Sequence, residues 1–141
     1  MVDVDAEIAA RTGCSIAQLW GERGEKAFRE MESAAVLRLV DAPPSVIATG
    51  GGVVLDARNV AAMRGSGRVV WLSAPPPVLA ARVGGGGGRP LLAAATSEER
   101  LEEILAERAD LYSAAAHDIV DSGTATVKDV ADRIGALWSR S

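Results

Sequence analysis

Apolar positions along the chain alternate between short continuous runs and longer stretches with helical spacing, and each run is followed by a helix-like segment. Met1 to Val4 reads as the last residues of a strand. Asp5 is placed to cap a short helix that runs through Ile8 and Ala9 and stops at Gly13. Ser15 opens another short helix. A longer one follows, with Phe28, Met31, Ala35 and Leu39 marking its buried face, and Pro43 and Pro44 end it. Val46 to Thr49 reads as a buried strand running into three consecutive glycines, Gly50 to Gly52.

Asp56 is a fitting cap for a helix reaching Arg64, closed by Gly65, Ser66 and Gly67. Arg68 to Leu72 is the next strand, and Pro75 to Pro77 start a helix carrying Leu79 and Arg82. No periodicity survives from Val83 to Ala95, where Gly84 to Gly88 point to a mobile loop. Thr96 and Glu99 form a capping box for a helix to about Ala115. Asp118 to Asp121 is a last strand, and Thr126 caps a C-terminal helix ending near Trp138. Three interior strands and a stub, each followed by a helix, predict an α/β fold with a mostly parallel sheet, in one domain spanning residues 1–141.

Composition narrows the chemistry. Only 4% of residues are aromatic against 48% hydrophobic, so Ala, Val, Leu and Ile must build the core. A net charge of −4 without blocks of like charge argues against nucleic acid as a partner. The single Cys14 excludes an internal disulfide, and with His117 as the only histidine a His/Cys metal cluster is excluded too. With neither a membrane-length apolar run nor a signal-like start, the expected setting is the cytoplasm. His117, Cys14 and the three tryptophans, Trp20, Trp71 and Trp138, read as structural residues.

The candidate chemistry lies in the glycine run and in a few charged residues. Three glycines remove every β-carbon, so a ligand can lie against backbone N–H groups at the end of a strand. Arg29, Arg89 and Arg108 are either solvated surface residues or the planar forks that grip a small anion. Asp3 and Asp5 are either a terminal residue and a helix cap, or two carboxylates sharing one side of a strand end.

Five segments occur in a telling order: Asp3-Val4-Asp5, Phe28-Arg29-Glu30-Met31-Glu32, Gly50-Gly51-Gly52, Arg89-Pro90-Leu91-Leu92 and Glu107-Arg108-Ala109-Asp110-Leu111-Tyr112. Together they resemble the shikimate kinase family, from Met1 to about Asp121. The resemblance implies a three-layer parallel sheet of the nucleoside-monophosphate-kinase type and transfer of the ATP γ-phosphate to the 3-hydroxyl of shikimate, in aromatic amino acid biosynthesis. It implies that Arg29, Gly50, Gly51, Gly52 and Arg108 bind shikimate, that Asp5 also holds or deprotonates the accepting hydroxyl, and that Glu32 supports Arg29. By the same resemblance Arg89, on a lid loop at 83–95, would face the transferring phosphate and the nucleotide, and Asp3 would act through Mg²⁺.

Two smaller features depart from the family pattern. Asp110 stands where the family has proline, and Ser122-Gly123-Thr124 lacks its usual adenine-side residues. More consequential is the phosphate loop, Gly-x-x-x-x-Gly-Lys-Ser/Thr, which these 141 residues do not contain; their two lysines are Lys26 and Lys128. The family carries that loop after a central first strand. Without that strand the sheet is expected to have a gap of roughly 9.6 Å, two strand spacings, and the isolated chain to be poorly stable and inactive. A non-catalytic binder of a small carboxylated polyol, or of a partner protein, is the alternative. The sequence leaves the oligomeric state open.

Overall fold

A computed structural model describes residues 1–83 and 98–140. The glycine run Gly84 to Gly88, Arg89 and Thr96 therefore lie outside the described residues. The chain is α/β, mostly helical, with parallel strand pairs, and it divides into two compact units at Gly67–Arg68.

In the first unit, β1 (Val2–Asp3) pairs in parallel with β2 (Ile47–Ala48), Val2 opposite Ile47 and Asp3 opposite Ala48. Helix α1 (Val4–Thr12) starts immediately after β1. Its cap is Asp3, not Asp5. Asp3 has an extended backbone (φ −101°, ψ 123°) and accepts a hydrogen bond from the Ala6 N–H, which only the residue preceding the first helical turn can do. Asp5 already lies inside that turn, so the two carboxylates do not share a strand, and the period-two reading of the pair does not hold.

Helix α2 (Ile16–Val40) opens on a full capping box between Ser15 and Gln18. It kinks at Gly24, whose φ of 79° belongs to the left-handed region that glycine adopts at little cost. The kink lets the segment carrying Phe28 and Arg29 take its own direction. Phe28 and Ala35 are buried as the spacing predicts, but Met31 and Leu39 are only partly covered. Glu32, Ser33 and Val36 complete the buried face instead. The apolar stripe thus gives way to polar groups in mid-helix.

β2 is shorter than the predicted Val46–Thr49 run. β1 turns into α1 at Val4, so the chain beyond Ala48 has no further partner on that side. Gly51–Leu55 closes instead into a 3₁₀ turn, with the Val53 N–H donating to the Gly50 carbonyl at 3.3 Å. Asp56 then caps α3 (Ala57–Ser66) through the Arg58 N–H. Val4, Ile8, Leu19, Phe28, Val36, Val53 and Val54 form this unit's apolar core.

In the second unit β3 (Val70–Ser73) pairs in parallel with β4 (Asp118–Asp121) along all four residues. Helices α4 (Pro76–Val83), α5 (Glu98–Ala115) and α6 (Val127–Trp138) complete it. β3 starts two residues later than predicted because Val69 is occupied at the strand entrance, donating to His117 Nδ1 and accepting from the His117 N–H. Helix α6 has the predicted Thr126 cap, made reciprocal by Asp129. Among the described residues no helix is long and apolar enough to cross a membrane.

Candidate functional site

The first unit gathers charge where its core turns polar. Arg29, on the second segment of α2, donates from Nη1 to Glu32 Oε2 at 2.9 Å. Glu32 is 1% exposed, and a carboxylate so far from water requires a cation beside it. Trp20 and Phe28 flank the guanidinium, whose carbon lies 5.4 Å and 5.5 Å from their ring centres. The two rings lie 5.3 Å apart and hold each other in place. Arg29 Nε is buried with no hydrogen-bond acceptor; the Glu25 carboxylate stands 3.6 Å from it, beyond hydrogen-bond reach.

The glycine turn completes the arrangement. A β-carbon at Gly52 would overlap the Arg29 guanidinium, so only glycine admits the arginine at this point. At Gly50 a β-carbon would stand 3.1 Å from Glu32 Oε1 and 3.9 Å from Asp5 Oδ1. Asp5, Arg29, Glu32, Gly50 and Gly52 are thus brought together, with Gly51 exposed between the two outer glycines. The sequence reading reserves the β-carbon space of the glycines for a ligand. At Gly52 it belongs to the protein's own arginine.

Behind this cluster runs a hydrogen-bonded chain. Asn59 Nδ2 donates to the Val53 carbonyl at 3.2 Å and to Ser33 Oγ at 3.0 Å. Ser33 Oγ donates in turn to Asp56 Oδ2 at 3.5 Å. Arg58 donates to Asp56 from its backbone N–H and from its guanidinium, and these bonds pull the Asp56 carboxyl down to a pKa of about 2. Arg29, Glu32, Gly52, Leu55 and Asn59 line an open concavity of about 340 Å³ here.

An arginine with a spare buried donor beside a glycine turn and a carboxylate is suited to hold a small anion that also carries a hydroxyl. The family model "Shikimate kinase" matches residues 1–137. The chain belongs to the shikimate kinase family. The shikimate kinase of Nitratidesulfovibrio vulgaris is 42% identical over 142 residues, covering 99% of this chain and 81% of that protein. That of Aromatoleum aromaticum is 43% identical over 122 residues, covering 86% and 70%. A structure of the shikimate kinase from Acinetobacter baumannii in complex with shikimate superimposes with a TM-score of 0.92 at 31% identity, covering 99% of this chain and 78% of that one. By family the chain is an ATP-dependent small-molecule kinase.

The shikimate kinase resemblance selects three further residues. Asp3 caps α1. Arg108 sits half-buried on α5 of the second unit, and Arg89 lies outside the described residues. Among the described residues no three His, Cys, Asp or Glu side chains are grouped to hold a metal ion. Two participants escape the sequence reading. Trp20 reads as packing, and its place eight residues before Phe28, across Gly21 and Gly24, is a faint hint of the ring pair. Asn59 gives no signal, because an asparagine in the first turn of a helix is ordinary.

Proposed function

We propose that this chain binds shikimate at the cluster of Asp5, Arg29 and Gly50 to Gly52, beside the concavity that Arg29 and Gly52 line, as the acceptor part of a kinase that transfers the ATP γ-phosphate to the shikimate 3-hydroxyl. The observation that carries the reading is the buried, acceptor-less Nε of Arg29, beside an Nη1 already fixed by Glu32. A carboxylate is the group a guanidinium fork takes best, and pre-fixing one edge of the fork lowers the ordering cost of binding. Asp5 would hold the acceptor hydroxyl and take its proton as the phosphorus–oxygen bond forms. Arg108 would add a second positive charge for the substrate, and Arg89 would approach the transferring phosphate.

Magnesium delivered with ATP asks little of the protein, commonly one or two carboxylates. Asp3 fits this role: Oδ1 accepts from Ala6, and a second carboxylate oxygen remains. When bound, the ion neutralises phosphate charge. A polypeptide of these 141 residues alone contains no phosphate loop, and we propose that it binds shikimate without turning over ATP.

Calorimetric titration with shikimate, with and without Mg·ATP, tests the reading. The expected result is saturable binding that ATP leaves unchanged. Arg29→Ala should weaken it about a hundredfold, since a charge-assisted pair is worth roughly 3 kcal/mol. No shikimate binding by the unaltered chain would overturn the assignment.

A further inference from the structure

The hydrogen-bonded chain behind the cluster has no part in the function proposed so far. Asn59 is 1% exposed, and its orientation is not arbitrary: the Val53 carbonyl can only accept, so the amide nitrogen must face it. That nitrogen also reaches Ser33, and Asn59 Oδ1 is left buried without a partner. An apolar side chain of the same volume would avoid this orphaned atom, whose burial costs free energy. The amide accepts this one orphaned atom in exchange for the two bonds it gives to Val53 and Ser33.

What the amide joins explains its presence. Val53 follows Gly52, the residue on which the Arg29 guanidinium rests. Ser33 follows Glu32, the carboxylate that holds Nη1 of the same arginine. Asn59 therefore ties the glycine turn to α2 on both sides of Arg29, adding side-chain bonds to the short-range i→i+3 bonding of the 3₁₀ turn itself. We propose that Asn59 is a positioning residue of the acceptor pocket: it sets the separation of the Gly52–Val53 turn from α2, and so the place of the Arg29 fork. The inference rests on the shikimate reading of this pocket.

Two measurements on Asn59→Leu, made well below its unfolding midpoint, test the proposal. The first is the shikimate dissociation constant by calorimetry. The second is the Nε–H resonance of Arg29 by NMR, assigned through its disappearance in Arg29→Ala. A positioning role predicts a roughly tenfold weaker dissociation constant together with a shifted, faster-exchanging Arg29 resonance. Ser33→Ala, a milder cut in the same chain, should move both in the same direction by a smaller factor, and it decides the matter should Asn59→Leu not fold. An unchanged dissociation constant overturns the proposal. So does weaker binding with an unmoved Arg29 resonance, which would mean that Asn59 serves general stability. Failure of the unaltered chain to bind shikimate brings down the functional reading, whereas normal binding in both variants brings down this inference alone.

Discussion

The two units differ in whether they bury charge. In the first, Glu32 and Asn59 are each 1% exposed and sit in the middle of the core. In the second, the charged pairs lie at the surface, as in Arg68 with Asp118 and Lys128 with Asp132, while apolar Leu72 and Ile119 face water at 47% and 55% exposure. Scattered exposed apolar side chains are ordinary on any protein surface. Buried charge is not, because it must be compensated in place. The contrast therefore marks the first unit as the one that sacrifices stability for a shaped site.

Removing one partner from each kind of pair tests this most strongly. Glu32→Ala leaves the Arg29 guanidinium, with 21% of its side chain exposed, without its hydrogen-bonded anion. The expected loss is on the order of 3 kcal/mol. Asp118→Ala removes a pair whose arginine is 38% exposed and screened by water, and should cost much less. Urea unfolding of both variants measures the difference, and equal losses would erase the distinction between the units.

A second pair of substitutions separates stability from binding. Gly52→Ala places a methyl group in the space of the Arg29 guanidinium, the far end of a flexible side chain that can swing away. Because the displaced fork leaves Glu32 buried without the Arg29 cation, stability should fall by on the order of 3 kcal/mol, and shikimate affinity should drop tenfold or more. In the second unit, Gly123→Ala would set its β-carbon 2.7 Å from Pro75 Cδ and 3.1 Å from Asp121 Oδ1. The proline ring cannot swing, so overpacking of about 1–3 kcal/mol is expected. Thermal unfolding and calorimetry on both variants sort the two outcomes.

The same contrast explains what the sequence makes legible. Caps at Ser15, Asp56 and Thr126 are local, requiring only a polar residue before an amphipathic run, and they form where the pattern puts them. Strand ends are set by partners distant in sequence, which is why Val46–Thr49 shrinks to Ile47–Ala48 and the cap passes from Asp5 to Asp3. Arg29 and the glycines stand out because their spacing matches a family. That Gly52 makes room for Arg29, and that Asn59 braces the turn, depends on how α2, the 3₁₀ turn and α3 approach one another. Window-scale periodicity carries no information about that approach.

Acid should affect both units. Hydrogen bonds from Arg58 hold Asp56 at a pKa of about 2, below its ordinary 3.8, and Arg68 lowers Asp118 likewise. A depressed folded-state pKa means that the unfolded chain takes up the proton first. The stabilisation is thus complete above about pH 4 and is lost as the pH falls toward 2. Asp56→Asn keeps a capping side chain but removes the charge. Its unfolding midpoint should fall less steeply between pH 4 and 2 than that of the unaltered chain, and an unchanged slope would mean that Asp56 is not linked to folding.

The smallest expected effect belongs to the most exposed pair. Lys128 Nζ lies 2.6 Å from Asp132 Oδ2, one helical turn apart on α6, with 83% and 63% of the two side chains in water. A contact that short suggests strength by geometry, yet water screens both charges and the lysine loses rotamer freedom to reach its partner. Pairs of this kind contribute about 0.3–0.5 kcal/mol, so Lys128→Ala should lower the unfolding midpoint by no more than about 3 °C. Added salt should shrink the difference further. A loss approaching that of Glu32→Ala would show that surface charge in the second unit bears as much of the stability as buried charge in the first, and the contrast between them would fail.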